Sequence, residues 1–180
     1  LNNLGYELYL RGETNTAVGH WMTTLRADPK NAAAHGFLGM VSEERQEWAR
    51  AVRHYESVLR AAPNHVVYLY RLGWILAAVP VDEVRDPARA LHLARAVLRE
   101  TEGQSAKAWD LLGVVYSNLS DFDSAIDAAQ RAKARIDPAA DAEATASGAL
   151  RPTRQVLTAA EVDARLTAYR AGRPWRLETE

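Results

Sequence analysis

The sequence predicts an all-α fold: a right-handed superhelical solenoid of about four helical hairpins, followed by a C-terminal capping helix. Three observations predict it. First, Leu4-Gly5 recurs as Leu38-Gly39, Ala17 as Ala51, Trp21 as Tyr55, Leu25 as Leu59 and Pro29 as Pro63, each pair 34 positions apart. Second, apolar residues such as Leu72 and Leu76, or Trp109, Leu112 and Tyr116, recur at helical spacing and make one buried stripe per helix. Third, Pro29 and Pro63 stand where a helix must stop, because Pro lacks an N–H and disfavours helical geometry in the residue before it.

Taken in order, the pattern predicts helices over 2–10, 14–27, 31–44, 48–61, 66–78, 87–101, 105–118 and 122–136. They group into repeats 1–31, 32–65, 66–104 and 105–138. Leu112-Gly113 followed by Ala125 restates the register of the first two repeats, and Leu72-Gly73 marks the third. Gly5, Gly39, Gly73 and Gly113 fall inside the first helix of each hairpin, where Gly costs about 1 kcal/mol relative to Ala. A close approach by the second helix, at Ala17, Ala51, Ala90 and Ala125, is the expected compensation. In the third repeat the Gly-to-Ala interval is 17 positions instead of 12, so residues 80–87, with a Pro at each end, form an inserted loop.

After Pro138 the pattern changes. Residues 139–157 are rich in Ala, Asp, Thr and Ser, a composition suited to a linker or a short helix. Residues 158–180 then hold the capping helix and a tail: Thr158 and Glu161 have capping-box spacing, Val162, Leu166 and Tyr169 follow at helical spacing, and Gly172 ends the helix.

The residues W-x-x-L-G-x-x-Y at 109–116, the recurring Leu-Gly pairs, the alanines twelve positions on and the closing prolines resemble the tetratricopeptide repeat pattern, over roughly residues 1 to 138. The inserted loop ending in Arg85-Asp86-Pro87, with Leu166, Tyr169, Arg170, Gly172, Arg173, Pro174, Trp175 and Arg176, resembles the soluble repeat tails of bacterial proteins, some of which follow a glycosyltransferase-like membrane region. That second resemblance implies a bacterial cytoplasmic or periplasmic setting and a role as an arm of a larger membrane enzyme.

In the tetratricopeptide family the first helix of each repeat lines a groove for partners. The family register puts Asn2, Tyr6 and Tyr9, then Ala33, Gly36, Met40 and Glu43, then Val67, Tyr70, Trp74 and Ala77, then Lys107, Asp110, Val114 and Ser117 on that face. Asn2, Tyr6, Tyr9, Met40, Glu43, Tyr70, Arg71, Trp74, Lys107 and Asp110 are the candidate peptide-binding residues. Leu69, Leu72 and Leu76 should pack inside, while Tyr70 and Trp74 face the groove as low-entropy aromatic anchors. The family's carboxylate clamp for chaperone C-termini fails here: its places hold Asn2, Tyr6, Phe37, Val67 and Arg71, and only Arg71 fits.

Chemistry has little purchase elsewhere. Asp121 and Asp123 have the D-x-D spacing of a metal-dependent glycosyltransferase, but they fall in an inter-helix turn, where acids cap and stabilise the next helix; Glu13 and Glu47 hold the equivalent place. The five histidines form no metal-binding pair on a helix face, the chain has no Cys, and no phosphate-binding or nucleophile motif is present, so no catalysis and no cofactor are expected. A net charge of −1 gives no drive toward nucleic acid or anionic lipid, and no apolar run is long enough to insert in a membrane. The expected function is a non-catalytic protein interaction scaffold taking a peptide or helix of a partner. The alternatives are the enzyme arm named above and self-association through the groove or the edge of the first repeat.

Overall fold

The computed structural model describes residues 2–137 and 157–177. Among them the helices are α1 (Asn2–Leu10), α2 (Thr14–Ala27), α3 (Ala32–Glu44), α4 (Trp48–Ala61), α5 (Val66–Ala78), α6 (Pro87–Glu100), α7 (Ala106–Asn118), α8 (Phe122–Lys133) and α9 (Ala159–Arg170), with no strand among the described residues. The expected element between 139 and 156 lies outside the described residues. The chain divides into two compact units, Leu1–Tyr68 and Leu69–Glu180, with the division inside α5.

In the first unit α1 pairs with α2, α3 with α4, and α2 with α3. The hairpin turns have one chemistry. Gly12 and Gln46 take left-handed φ values of 83° and 56° just past the first helix, and the next amide reaches five residues back: Glu13 N to Leu8 O at 2.9 Å, Glu47 N to Ser42 O at 2.8 Å. These bonds satisfy carbonyls that the helix end would otherwise leave without a partner. The same turn recurs in the second unit at Ser120 (φ 62°), with Asp121 N bonded to Tyr116 O at 2.9 Å.

The core of the first unit gathers Ala17, Trp21, Ala34, Leu38 and Val41, with Phe37, Tyr9 and Leu25 packed against them. Ala17 and Ala51 are fully buried, as expected of the second helix, yet it is an aromatic ring that fills the glycine notch. A Cβ on Gly5 would lie 2.5 Å from Trp21 Nε1, and one on Gly39 would lie 2.5 Å from Tyr55 Cε1. Neither approach leaves room for a side chain. Gly113, in the second unit, matches the expectation more directly, since a Cβ there would meet the Ala125 carbonyl oxygen at 3.3 Å.

In the second unit α6 packs on α7, α7 on α8, and α9 on both α8 and α7. Leu69, Leu72 and Leu76 are buried, as the periodicity predicts. The insertion after α5 is a defined loop. Asp86 N bonds to Leu76 O at 2.8 Å, Arg85 Nη1 to Val79 O at 3.1 Å, and Arg85 pairs with Asp82. Asp86 then caps α6 by accepting from Arg89 N at 2.9 Å, with Pro87 in the first turn where no N–H is needed. The capping box of α9 is complete, Thr158 and Glu161 each bonding the other's backbone amide. Val162, Leu166 and Tyr169 of α9 cover Ala125, Ala129 and Ala132 of α8, closing an apolar face that α8 would otherwise show to water.

Asp121 acts as the turn reading requires: its Oδ1 accepts from Ser124 N at 3.1 Å. Glu13 and Glu47 occupy the same N-cap place without a side-chain cap bond, and Glu47 instead pairs with Arg50 at 2.8 Å. Glu side chains are one methylene too long to cap as Asp does.

Candidate interaction surfaces

In the first unit the predicted face is built on α1 and α3. Tyr6 stacks on Phe37 with ring centroids 5.3 Å apart and on Tyr9 at 6.5 Å. Phe37 stacks in turn on buried Trp21 at 4.9 Å. A ladder of rings thus runs from the core outward to Tyr6, which is 41% exposed. Two contacts hold this face in place. Tyr9 donates its hydroxyl to Glu44, and Asn2 Nδ2 donates to Asn31 Oδ1 at 2.9 Å, the atom that also caps α3 by accepting from Ala34 N at 3.1 Å. Met40 and Glu43 are half-buried on the same helix, and Glu43 accepts from the Tyr55 hydroxyl at 2.6 Å. Phe37 entered the sequence reading only as a failed clamp position. Its i, i+3 spacing to Met40 was the signal that it belongs to the face.

His35 of α3 and His54 of α4 face each other, with Nδ1 atoms 2.9 Å apart, while His35 Nε2 contacts the Pro29 carbonyl at 3.1 Å. A carbonyl only accepts, so His35 carries its proton on Nε2 and His54 donates from Nδ1 in the neutral pair. Burial, and then the nearness of His35, Arg50 and Arg53, lowers His54 to about 4.

The second unit presents the corresponding positions very differently. Trp74 is 3% exposed and Asp110 is 1% exposed, where the family register predicts an open groove. The cover is the C-terminal segment. Arg165 of α9 places Nη1 3.0 Å from Asp110 Oδ1, and both side chains are almost fully buried. The Arg165 guanidinium lies 5.3 Å from the Trp74 ring centre and 5.1 Å from that of Trp175, so two indoles lie within cation–π range of it. Tyr70 and Arg71 are half-buried on α5, with Tyr70 6.1 Å from Trp74 ring to ring. Lys107, also half-buried, is held below its ordinary range by burial and by Arg71, with Glu161 opposing. Tyr169 is pushed well above the usual phenol range by burial and then by the Asp110 carboxylate.

Beyond α9, residues 173–177 form a strap along the ends of α5 and α7. Trp175 N donates to Ser117 Oγ at 3.1 Å, Asn118 Nδ2 donates to the Trp175 carbonyl at 2.8 Å, and Leu177 N donates to the Ala78 carbonyl at 2.7 Å. Sequence reasoning singled out Trp175 only within the tail. It missed Arg165, because an Arg one place before a buried Leu reads as a solvated flank.

The tetratricopeptide repeat family profile matches residues 2–66 and 82–147, well over half of the chain. The chain belongs to the tetratricopeptide repeat family. No curated protein matches it significantly by sequence. Among solved structures it is similar to MamA of Desulfovibrio magneticus RS-1 (residues 41 to the end), at 24% identity and TM-score 0.64, covering 74% of this chain and 72% of that one. A MamA double mutant is similar over 94% of this chain and 92% of its own, at 22% identity and TM-score 0.65. PilF of Pseudomonas aeruginosa is similar over 95% of this chain and 74% of its own, at 19% identity and TM-score 0.60. At these identities the likeness is one of fold alone, an all-α array of helical hairpins; it is the family profile that places the chain among tetratricopeptide repeat proteins, a family of protein-interaction scaffolds. Among the described residues, no helix is long and apolar enough to cross a membrane.

Proposed function

We propose that this chain is a non-catalytic protein interaction scaffold whose working surface in the first unit is the aromatic face of α1 and α3. Asn2, Tyr6, Tyr9, Met40 and Glu43, with Phe37, would receive a peptide or helix of a partner protein. The observation that carries this reading is the exposed Tyr6 ring seated on Phe37. A large aromatic held in place by its neighbours offers contact area at little ordering entropy, as binding hot spots do. Glu43 and Glu44 at the end of α3 add a negative border, which favours a partner segment with a basic flank.

The test is a peptide-display selection on the immobilised chain, with the selected peptides then measured on Tyr6→Ala. A loss of at least about ten-fold in affinity, with helical content unchanged, supports the reading; equal binding to both proteins defeats it.

Self-association is a second reading, favoured by Leu4 and Leu10 on α1, which are 46% and 66% exposed. An apolar edge of this kind could meet another copy. Sedimentation velocity across a hundred-fold range of concentration separates the two, since a partner-binding face without self-affinity leaves the sedimentation coefficient constant. As an arm of a larger bacterial protein, the chain would present the same face.

A further inference from the structure

The strap in the second unit is bound as a peptide would be. Trp175 and Leu177 are half-buried and Arg176 between them is exposed, the alternation of an extended segment with one face inward. Its hold combines backbone hydrogen bonds with side-chain contacts: the Trp175 ring packs against Arg165 and the α8–α9 core, and Arg176 Nε donates to Asn118 Oδ1 at 3.3 Å. Ser117 and Asn118 grip the amide and the carbonyl of the same residue, Trp175, and the Ala78 carbonyl takes the amide two residues on. Both gripping side chains are already aimed by their own helix. Ser117 spends its proton on the Val114 carbonyl at 2.8 Å, which leaves its oxygen to accept, and Asn118 is tied to the same carbonyl at 3.0 Å by the amide nitrogen that also reaches the strap. Ala78 lies in the last turn of α5, where a helix carbonyl must find its donor outside the helix.

The strap is also separable from the cap that precedes it. Gly172, at φ 65°, ends α9, and Arg173 N closes back on Ala168 O at 2.9 Å, so the helix end is complete before the strap begins. Val162, Arg165, Leu166 and Tyr169 anchor α9 by burial, whereas Arg173, Pro174 and Arg176 of the strap are exposed. Arg176 also comes near Arg85, an unfavourable like-charge approach.

We propose that the surface formed by Ala78, Ser117 and Asn118 is a recognition site for an extended Trp-x-Leu segment of another protein, and that residues 173–177 occupy it in cis. The site reads the main chain through three hydrogen bonds and accepts an indole against Arg165, so its ligand class is a short extended peptide with an aromatic residue two places before an aliphatic one. Because the strap is tethered directly to α9, its effective concentration is on the order of millimolar or higher, and a partner must outcompete it. This surface shares no residue with the α1 and α3 face, and neither proposal depends on the other.

The probe is a fluorescein-labelled peptide with the sequence of residues 171–177, titrated by anisotropy into the full chain and into full-chain Trp175→Ala. The expected result is at least about ten-fold tighter binding to Trp175→Ala, lost again when Asn118→Ala is added. Equal affinity for the original chain and folded Trp175→Ala, or a gain that survives Asn118→Ala, overturns the proposal. A concentration-dependent dimer of the unsubstituted chain that Trp175→Ala abolishes would assign the site to a second copy and overturn the external partner. If Trp175→Ala does not fold, amide exchange on the unsubstituted chain decides: the Trp175 and Leu177 amides should exchange at least about ten-fold faster than those of Leu111 and Val115. Protection equal to that of the core makes the strap a permanent part of the fold.

Discussion

Tyr6 and Trp74 are both large aromatics that the repeat register assigns to one face of a first helix, and they meet opposite fates. Tyr6 is 41% exposed on a shelf of stacked rings, and Trp74 is 3% exposed beneath an arginine. The difference does not come from their own helices, since α1 and α5 follow the same register and both have a glycine in it. It comes from what covers them. In the second unit α9 and the strap bring Arg165 and Trp175 to α5 and α7 from far along the chain. Within the first unit nothing comparable covers Tyr6 among the described residues. A repeat sets which residues share a face, and a non-repeating segment decides whether that face stays open.

The largest effect is expected at the buried ion pair of Arg165 and Asp110. Arg165→Met should destabilise the protein by about 3–5 kcal/mol, because it leaves the Asp110 carboxylate buried without its cation. Asp110→Leu with Arg165→Met should recover most of that loss, as measured by urea unfolding; a double variant as unstable as the single one would assign the pair a role other than mutual compensation. Truncation of the two aromatics should diverge almost as widely. Trp74→Ala is expected to cost about 3–5 kcal/mol and Tyr6→Ala less than about 1 kcal/mol, and similar melting shifts would contradict the assigned burial.

A smaller effect sharpens the packing account within the first unit. Gly39→Leu should cost about 1–3 kcal/mol, since its side chain would displace the Tyr55 ring and strain the bond from Tyr55 to Glu43. A melting temperature that does not move would show the notch to be idle.

The smallest expected effect is on pH. His54 has its folded value lowered to about 4 against an ordinary 6.5, so the unfolded chain binds the extra proton between those values. Stability from this group is therefore complete above about pH 6.5 and lost as pH falls toward 4. With the ring partly in solvent, the loss should be on the order of 1 kcal/mol. His54→Gln should flatten the slope between pH 6.5 and 4, and an unchanged slope would assign the acid sensitivity to other groups.

Much of this was legible in the sequence because it is local. Helix bounds follow from the apolar stripes and the prolines, the capping box of α9 from Thr158 and Glu161, and the inserted loop from the displaced Ala90. The glycine register predicted close approach, although not that Trp21 and Tyr55 would supply the ring. Arg165 on Asp110, and Trp175 on Ser117 and Asn118, were illegible for another reason. Each joins residues 55 or more positions apart, with no shared period to align them. Charge and hydropathy along a helix report its own faces, not which distant segment will lie on one.

The most direct measurement is acrylamide quenching of Trp74 in a chain whose other four tryptophans are replaced by Phe, with and without residues 157–180. The account predicts a shielded Trp74 in the full chain and an accessible one after truncation, with helical content checked in both. A Trp74 already accessible in the full chain, or equally shielded after truncation, would contradict the claim that the C-terminal segment is what closes this face.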